Sequence, residues 1–370
     1  MKHAYLIVAH TDFKILERLL DLLDYPGNDI YVHIDKKVSY DIKYHPVYSK
    51  LFTVSNEHRI DVRWADCTIA WAEMELYKLA HNHGPYGYYH LMSGIDLPLK
   101  SQNFIHRFFE EHNGIEFYGL MQNAWRTKSK IMYYHLFTKH LRGFGWRSQI
   151  EGILNSILVK LQKILPIMRS HKEIPILVKG TTWSSLTEEA VSYILSKQDY
   201  IYKRFRYTFA CDEIYKPILL INSPFVDKFY SKTDEYKGCL RKVDWQRGNP
   251  YIWQLKDYDE LINSNMLFAR KFSSEHWDLV EKISDYVNNN KNVVCKSRKT
   301  KCDGREKRNV IFEAKTKCAQ KSRLLPLSSQ NTSVVQTPFE SCLNDAFLLN
   351  FLLKYHLKPI ANLAKNRIFT

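Results

Sequence analysis

The sequence predicts an α/β protein built on a mixed, mainly parallel sheet flanked by helices. Its first 35 residues form an apolar run, an amphipathic segment and a second apolar run, the pattern of a βαβ unit. Short apolar runs, typical of strands buried on both faces, then alternate with helical patterns to about residue 221. The chain has 370 residues, 45% apolar and 25% charged, which suits a globular protein with a sizeable core.

The amino-terminal βαβ unit contains the first candidate site residues. Residues 5–9 and 30–34 are the two predicted strands, and Asp12 is placed to cap the helix between them. Ligands of parallel sheets bind beyond the carboxyl ends of the strands. His10 and Asp35, which follow those ends, therefore mark a candidate site.

The remaining elements follow from the same patterns. Further strands are predicted over residues 51–54, 88–92, 115–118 and 177–186. Further helices are predicted over residues 68–82, 101–111, 187–195 and 212–221. Thr187 is the expected cap of the third of these helices. Residues 121–172, rich in Trp, Tyr, His and Arg, are interpreted as an insertion that shapes a binding surface.

The chain changes character near residue 287. Residues 288–370 contain 16 Lys and Arg and 5 Asp and Glu, a net charge of +11, so residues 1–287 hold only +4 of the total of +15. We expect a folded domain over 1–287, a basic, disordered linker over 288–337 and an amphipathic helical tail over 338–370. The tail can pack on the domain or lie on an anionic membrane. A DNA-binding role for the whole chain loses its main support, because the basicity belongs to the tail.

The targeting and cysteine patterns indicate a cytoplasmic protein. The amino-terminal apolar run is too short for a signal peptide, and no apolar stretch reaches the ~18 residues of a spanning helix. The seven cysteines form no CxxC pair, which favours free thiols over disulfides or a zinc site. We expect the protein to contact the inner face of the membrane, if at all, through its basic tail.

Several sequence blocks together resemble one known family. They are HIDKK at 33–37, YYHLMSGIDLPLK at 88–100, KGTTWSSL at 179–186, CDEIYKPILLINSPF at 211–225, LRKVDW at 240–245 and LFARKF at 267–272. In this order, residues 4–285 resemble the Core-2/I-branching glycosyltransferases, which include β-1,6-N-acetylglucosaminyltransferases and peptide O-xylosyltransferases. A bacterial-type member is expected. After Trp64 the family commonly has Gly-Gly, whereas this chain has Ala65-Asp66, a departure that bears on loop geometry and donor specificity.

The resemblance implies a GT-A-like (Rossmann-like) domain and inverting transfer from a UDP-sugar to a hydroxyl group of an oligosaccharide or glycolipid. GlcNAc is the expected sugar, with xylose or another hexose as the alternative. The resemblance also implies that no metal is required, since basic side chains take the place of a metal held by a DxD motif. The one DxD triplet, at 257–259, is interpreted as a surface charge cluster in a helical segment.

The resemblance also assigns the reacting groups. Glu213 matches the catalytic base, and its neighbour Asp212 is expected to cap the helix or to contact the acceptor. Arg241 and Lys271 match the residues that bind the diphosphate, where a guanidinium can contact phosphate oxygens in a bidentate way. Nearby substitutes for these two cations are Arg270, Lys242 and Arg247.

The donor pocket is assigned to residues that follow strands. His10 and Asp35 are expected to contact the nucleoside. The turn that contains Ser93, Gly94 and Asp96 is expected to touch the donor sugar or the acceptor. Gly94 allows close approach of the backbone to a ligand, while Asp96 has the alternative role of stabilising the turn by bonds to the backbone.

The acceptor side is assigned to aromatic and basic residues. Trp183 is expected to form a platform for a sugar ring, with a position in the core as the alternative. Further acceptor contacts are expected among Trp125, Arg126, Lys128 and Lys130. Two non-enzymatic interpretations stay open at this point: a nucleic-acid-binding protein that uses the basic tail, and a lectin-like member that binds glycans without turnover. For the enzyme, no nucleic-acid partner is expected.

Overall fold

The structure is a computed structural model that describes residues 1–121, 124–141, 145–169 and 174–289, without the side chains of 124–126. The predicted linker and helical tail lie outside the described residues, except for residues 288 and 289. Four of the seven cysteines lie there as well. The other three, Cys67, Cys211 and Cys239, are buried free thiols, as expected.

The described residues form nine strands in two sheets. The strands are β1 (His3–Ala9), β2 (Asn28–Ile34), β3 (Lys50–Thr53), β4 (Tyr88–Ser93), β5 (Asp96–Pro98), β6 (Phe117–Met121), β7 (Lys179–Thr187), β8 (Arg241–Val243) and β9 (Phe268–Arg270). The larger sheet has the order β3-β2-β1-β4-β7-β6. Its first four strands pair in parallel, and β7 runs antiparallel to both of its neighbours. The predicted mixed, mainly parallel sheet is therefore confirmed.

Helices cover both faces of this sheet. In the described ranges they are α1 (Phe13–Leu23), α2 (Thr68–His81), α3 (Gln102–Glu111), α4 (Ala124–Met132), α5 (Trp146–Ile164), α6 (Glu188–Ser196), α7 (Gln198–Phe205), α8 (Tyr215–Ile221), α9 (Glu235–Cys239), α10 (Tyr258–Ile262) and α11 (Trp277–Asn289). None of the helices in these ranges has the length and apolar composition needed to cross a membrane.

Strand β1 shows why the predicted strands are continuously apolar. Alternate side chains of a strand point to opposite faces of its sheet. Ala4, Leu6 and Val8 pack in one core cluster with α2, α6 and α8, whereas Tyr5 and Ile7 pack in another with α1, α3 and α11. Every residue of β1 is buried. Both sets of alternate positions must therefore be largely apolar, which is the pattern that the sequence shows.

The smaller sheet, of order β5-β9-β8, was not predicted. Its three strands come from the blocks YYHLMSGIDLPLK, LFARKF and LRKVDW, and each strand has only three residues. β9 pairs antiparallel with β5 and parallel with β8. Such short strands give no periodic signal in a sequence. The sheet brings together three blocks that lie far apart in the chain.

The helix caps were predicted with mixed success. Thr187 caps α6 as predicted, because its hydroxyl accepts a hydrogen bond from the N–H of Ala190 at 3.3 Å. The prediction for Asp12 was wrong, because its side chain makes no capping bond to α1. Its backbone is left-handed, with φ of 49°, whereas a capping residue is normally extended. The Asp12 carboxylate instead accepts from the N–H of Ser274 at 2.8 Å, which ties the start of α1 to the segment after β9.

Candidate active site

The candidate site lies at one edge of the larger sheet. The carboxyl ends of β1, β2, β4 and β6 meet there, together with the start of the antiparallel β7. His10 follows β1 and is exposed, whereas Asp35 follows β2 and is buried. The N–H of Asp35 donates to the carbonyl of Ala9 at 2.9 Å, so the two predicted positions are neighbours.

The Asp35 carboxylate is held by its own loop. It accepts from the backbone N–H and from the ammonium of Lys37, both at 2.9 Å. The same ammonium lies 2.7 Å from Asp61. These bonds order the loop after β2, and the nucleoside contact assigned to Asp35 stays a prediction.

The turn after β4 is built by packing and by one carboxylate. The N–H of Gly94 donates to the carbonyl of Val8 at 2.9 Å. A Cβ atom on Gly94 would lie 2.9 Å from that of Ala9, so the glycine is required by the close approach of β1. Asp96 accepts from the N–H of Ser93 at 3.0 Å, so it does stabilise the turn.

Asp96 also faces the small sheet. It is 1% exposed, and burial raises the pKa of its carboxyl although Arg270 opposes the shift. Its Oδ1 atom makes no hydrogen bond within the described ranges, and Arg270 Nε lies 3.8 Å away. The guanidinium of Arg270 stands over the ring of Trp183, 4.6 Å from its centroid. Arg270 therefore connects the turn after β4 with the predicted sugar platform.

The two predicted diphosphate-binding residues have different surroundings. Lys271 follows β9 directly and is partly buried. Arg241 is 1% exposed, and its guanidinium donates to the carbonyl of Ser184 at 2.8 Å and to that of Leu91 at 3.2 Å. Burial lowers the pKa of this guanidinium. Arg241 therefore joins β8 to β4 and β7 from inside the protein, which its sequence context did not reveal.

The predicted base lies in a short 3₁₀ helix, Cys211–Glu213. The Glu213 side chain is 28% exposed, and its Oε2 atom lies 3.2 Å from the ammonium of Lys130 and 3.0 Å from that of Lys179. Lys179 begins β7, so this ion pair joins the 3₁₀ helix to the edge of the sheet. The sequence placed Lys130 in the acceptor region but gave no role to Lys179.

Asp212 turns inward, away from any helix cap. The prediction of a cap was wrong, since α8 begins at Tyr215 after Ile214 and no side chain caps it. The Asp212 carboxylate accepts from the hydroxyl of Thr182 in β7 at 2.6 Å. Burial and the neighbouring charge of Glu213 raise its pKa to about 6.

A buried ion pair lies close to the 3₁₀ helix. Glu73 of α2 and Lys216 of α8 are both fully buried, and their charged atoms lie 2.7 Å apart. The ammonium also donates to the carbonyl of Thr182 at 2.6 Å, and the hydroxyl of Tyr215 donates to Glu73 at 2.6 Å. Burial raises the pKa of Glu73 to about 7. Lys216, the one charged residue in the sequence of α8, was the available sequence signal, whereas Glu73 shares α2 with Glu75 and Lys78 and does not stand out.

The departure at Ala65 also bears on this helix. Ala65 has a φ of 60°, in the left-handed region that favours glycine, which is the residue common in the family at this point. Its carbonyl accepts from the N–H of Ala210 at 2.8 Å, directly before the 3₁₀ helix. The alanine thus keeps a glycine-like backbone and helps to place residues 211–213.

The first residue of the DxD triplet, Asp257, has a structural role, and it is buried, whereas the whole triplet was predicted to be a surface charge cluster. Asp257 accepts from the N–H of Gln254 at 3.0 Å and from Arg247 at 2.8 Å, and it closes a capping box. Arg247 is also paired with Glu260 at 3.0 Å. Over the described ranges, no three His, Cys, Asp or Glu residues are grouped to hold a metal ion. The metal independence of the reaction stays a prediction.

The sequence profile of the Core-2/I-Branching enzyme family matches residues 3–262. Twenty-three chains of solved structures match this chain. Among them is mouse xyloside xylosyltransferase 1 in its apo form, with 9% sequence identity, coverage of 73% of this chain and 97% of that chain, and a TM-score of 0.31. A sequence identity and a TM-score this low support no inference about the substrate. A comparison with curated proteins gives no significant match.

Proposed function

Since this chain belongs to the Core-2/I-branching enzyme family and is a glycosyltransferase, we propose that it moves GlcNAc from UDP-GlcNAc to a hydroxyl group of a surface glycan. The proposed reaction is a single in-line displacement that inverts the anomeric centre and needs no metal. Xylose or another hexose is the second candidate for the donor sugar.

Glu213 is the proposed base, and its accessibility is the observation that carries the proposal. Of the three carboxylates gathered here, Asp212 and Glu73 are buried, whereas Glu213 is partly exposed. The acceptor hydroxyl gives its proton to Glu213 as its oxygen attacks the anomeric carbon. The bond from that carbon to the diphosphate oxygen breaks, and UDP leaves with the electron pair.

The proposed diphosphate contacts shift from Arg241 towards Arg270 and Lys271. The terminal nitrogens of Arg241 already donate to protein oxygen atoms in the interior. Arg270 lies beside Asp96 and Trp183 at the end of the short β9, and Lys271 is the next residue. Fixed cations at this position would stabilise the charge that develops on the leaving group. Arg241 is proposed to support them by holding β8 in place.

Asp212 is proposed to position the base, with no direct contact to the acceptor. Its bond to Thr182 fixes the 3₁₀ helix against the start of β7. Lys130 and Lys179 both contact the Oε2 atom of Glu213. Together these contacts restrict the carboxylate to a narrow range of orientations, which an in-line displacement requires.

A panel of UDP-sugars tests the proposal directly. The purified full-length chain is incubated with UDP-GlcNAc, UDP-xylose, UDP-glucose and UDP-galactose, and released UDP is measured with and without EDTA. We expect the fastest release from UDP-GlcNAc and no effect of EDTA. Loss of activity in EDTA that manganese restores would contradict metal independence. Faster release from UDP-xylose would select the second donor.

A further inference from the structure

Helix α5 turns an apolar face to solvent. Five of its exposed residues form this face, the α5 stripe: Trp146, Ile150, Ile153, Ile157 and Ile164. They follow at intervals of four, three, four and seven residues, which places them on one side of a helix. The exposed fraction reaches 67% at Trp146, 58% at Ile153 and 75% at Ile164. At 1.5 Å per residue the stripe is about 27 Å long, and its placement reverses the usual pattern of a surface helix.

The opposite face of α5 buries two polar residues, Asn155 and Gln162, beside Leu158, and the polar residues are bonded to the domain. Gln162 is 1% exposed; it accepts from the N–H of Tyr134 at 2.8 Å and donates to the Tyr134 carbonyl at 3.0 Å. Asn155 Nδ2 lies 3.1 Å from Nδ1 of the buried His135. Rotating the helix to bury the isoleucines would leave these buried polar groups without partners, which is costly. The outward direction of the α5 stripe is therefore set by the fold.

The charges beside the α5 stripe are mainly positive. Arg147, Lys160 and Lys163 are exposed on the same helix. Glu151 is the one acidic residue in the sequence of α5, and it is paired with His140 at 2.7 Å. An exposed apolar face bordered by basic residues, with a tryptophan at one end, is typical of helices that lie in the interface of a bilayer.

We propose that the α5 stripe docks the enzyme on an anionic membrane. Insertion of the isoleucines supplies the apolar part of the binding energy, and the basic residues attract the anionic headgroups. Tyr134, which is hydrogen-bonded to Gln162 of α5, lies two residues beyond the end of α4. Helix α4 in turn contains Lys130, which contacts Glu213. The docking helix and the proposed base thus belong to one connected substructure, which suits an acceptor anchored in the membrane. Docking itself requires neither the proposed donor nor the proposed base.

Vesicle flotation of the full-length chain tests the proposal. The vesicles are phosphatidylcholine, alone or mixed with phosphatidylglycerol. The test variant is Ile153→Gln with Ile157→Gln, which keeps helix propensity and changes only exposed side chains. The matched control is Val47→Gln with Leu255→Gln, at two exposed apolar residues away from α5. We expect the wild type and the control to float with the mixed vesicles, and the test variant to bind about tenfold or more weakly.

Salt separates the α5 stripe from the predicted basic tail, which every variant retains. High salt screens attraction between exposed charges but does not weaken apolar insertion. Wild-type binding that persists in high salt and is lost in the test variant would support the α5 stripe. Equal flotation of the wild type and the test variant, or no flotation of the wild type, would overturn the proposal. So would a wild-type dimer that the test variant abolishes without any vesicle binding, because the occupant would then be a second copy.

Discussion

The amino ends and the carboxyl ends of the parallel strands define two edges of the larger sheet. Both edges bury polar groups, but the partners of these groups differ. Towards the amino edge, His3 and His106 stack at 4.0 Å between ring centroids, His90 Nε2 lies 3.1 Å from His3 Nδ1, and His106 Nε2 lies 2.7 Å from Asn28 Oδ1. Burial lowers the pKa of all three histidines, that of His106 to about 4. These histidines form a neutral network. Two buried carboxylates at the same edge, Asp29 and Glu116, accept hydrogen bonds from Tyr86 and Thr187, and over the described ranges neither is paired with a cation.

The carboxyl edge contains charges. Glu73 with Lys216, Glu213 with Lys179, and Asp96 with Arg270 are carboxylates matched by cations. Neutral groups can satisfy one another in the interior at little cost, whereas buried charges are retained where they have partners or a function. The difference supports the proposal that the chemistry takes place at the carboxyl edge.

The largest expected effect is on turnover at the carboxyl edge. Glu213→Gln keeps the size of the side chain but removes the base, so we expect transfer to fall by about 10²–10⁴-fold. The affinity for UDP should stay nearly unchanged. Steady-state transfer and calorimetric titration with UDP measure the two quantities. Full activity of the variant would remove Glu213 from the role of base.

The buried ion pair gives the next largest effect, on stability. Lys216→Met leaves Glu73 buried without its cation and should lower the free energy of unfolding by about 3–5 kcal/mol. Lys78→Met, which breaks a partly exposed pair with Glu75, is the matched control and should cost about 1 kcal/mol or less. Urea unfolding measures both, and equal losses would show that burial does not decide the cost. Adding Glu73→Gln to Lys216→Met should recover much of the stability.

A smaller effect is expected on nucleotide affinity. Arg270→Ala and Lys271→Ala should each weaken the binding of UDP by about tenfold or more, because each removes a charge-assisted contact worth about 1.5–3 kcal/mol. Lys242→Ala is the control, since Lys242 is paired with Glu260 at 2.8 Å. Arg241→Ala is different: we expect it to lower the free energy of unfolding, because its guanidinium donates hydrogen bonds to the protein interior. Unchanged UDP affinity in both Arg270→Ala and Lys271→Ala would refute the shifted assignment.

The smallest expected effects are opposite slopes of stability against pH. Between pH 6.5 and about 4, His106 is protonated in the unfolded chain but stays neutral in the folded chain. This residue therefore lowers the free energy of unfolding as the pH falls, by about 1.4 kcal/mol per pH unit at most. Glu73, with its pKa raised to about 7, has the opposite sign, because the folded chain takes up the proton first. Urea unfolding across this range should show that the free energy of unfolding falls less steeply with decreasing pH in His106→Gln than in the wild type. In Glu73→Gln it should fall more steeply. Parallel curves for both variants and the wild type would contradict the contrast between the edges.

The elements that the sequence predicted well are those with local periodic signals. The predicted helix over 68–82 is α2, and the strand over 88–92 is β4, because burial on two faces or on one stripe leaves a pattern within a few residues. The small sheet was missed, since three-residue strands carry no such pattern. The outward apolar face of α5 was missed because apolar spacing gives the existence of a face but not its direction.

By itself, the sequence determined the class of fold, the order of the main elements and the blocks that identify the family. The tertiary structure decided which charges are buried and which are accessible. Glu73 and Lys216 are 143 positions apart in the chain, and Arg241 reaches carbonyls of two other strands. The physical reason is that the environment of a charge depends on what packs around it, and those neighbours come from distant parts of the chain.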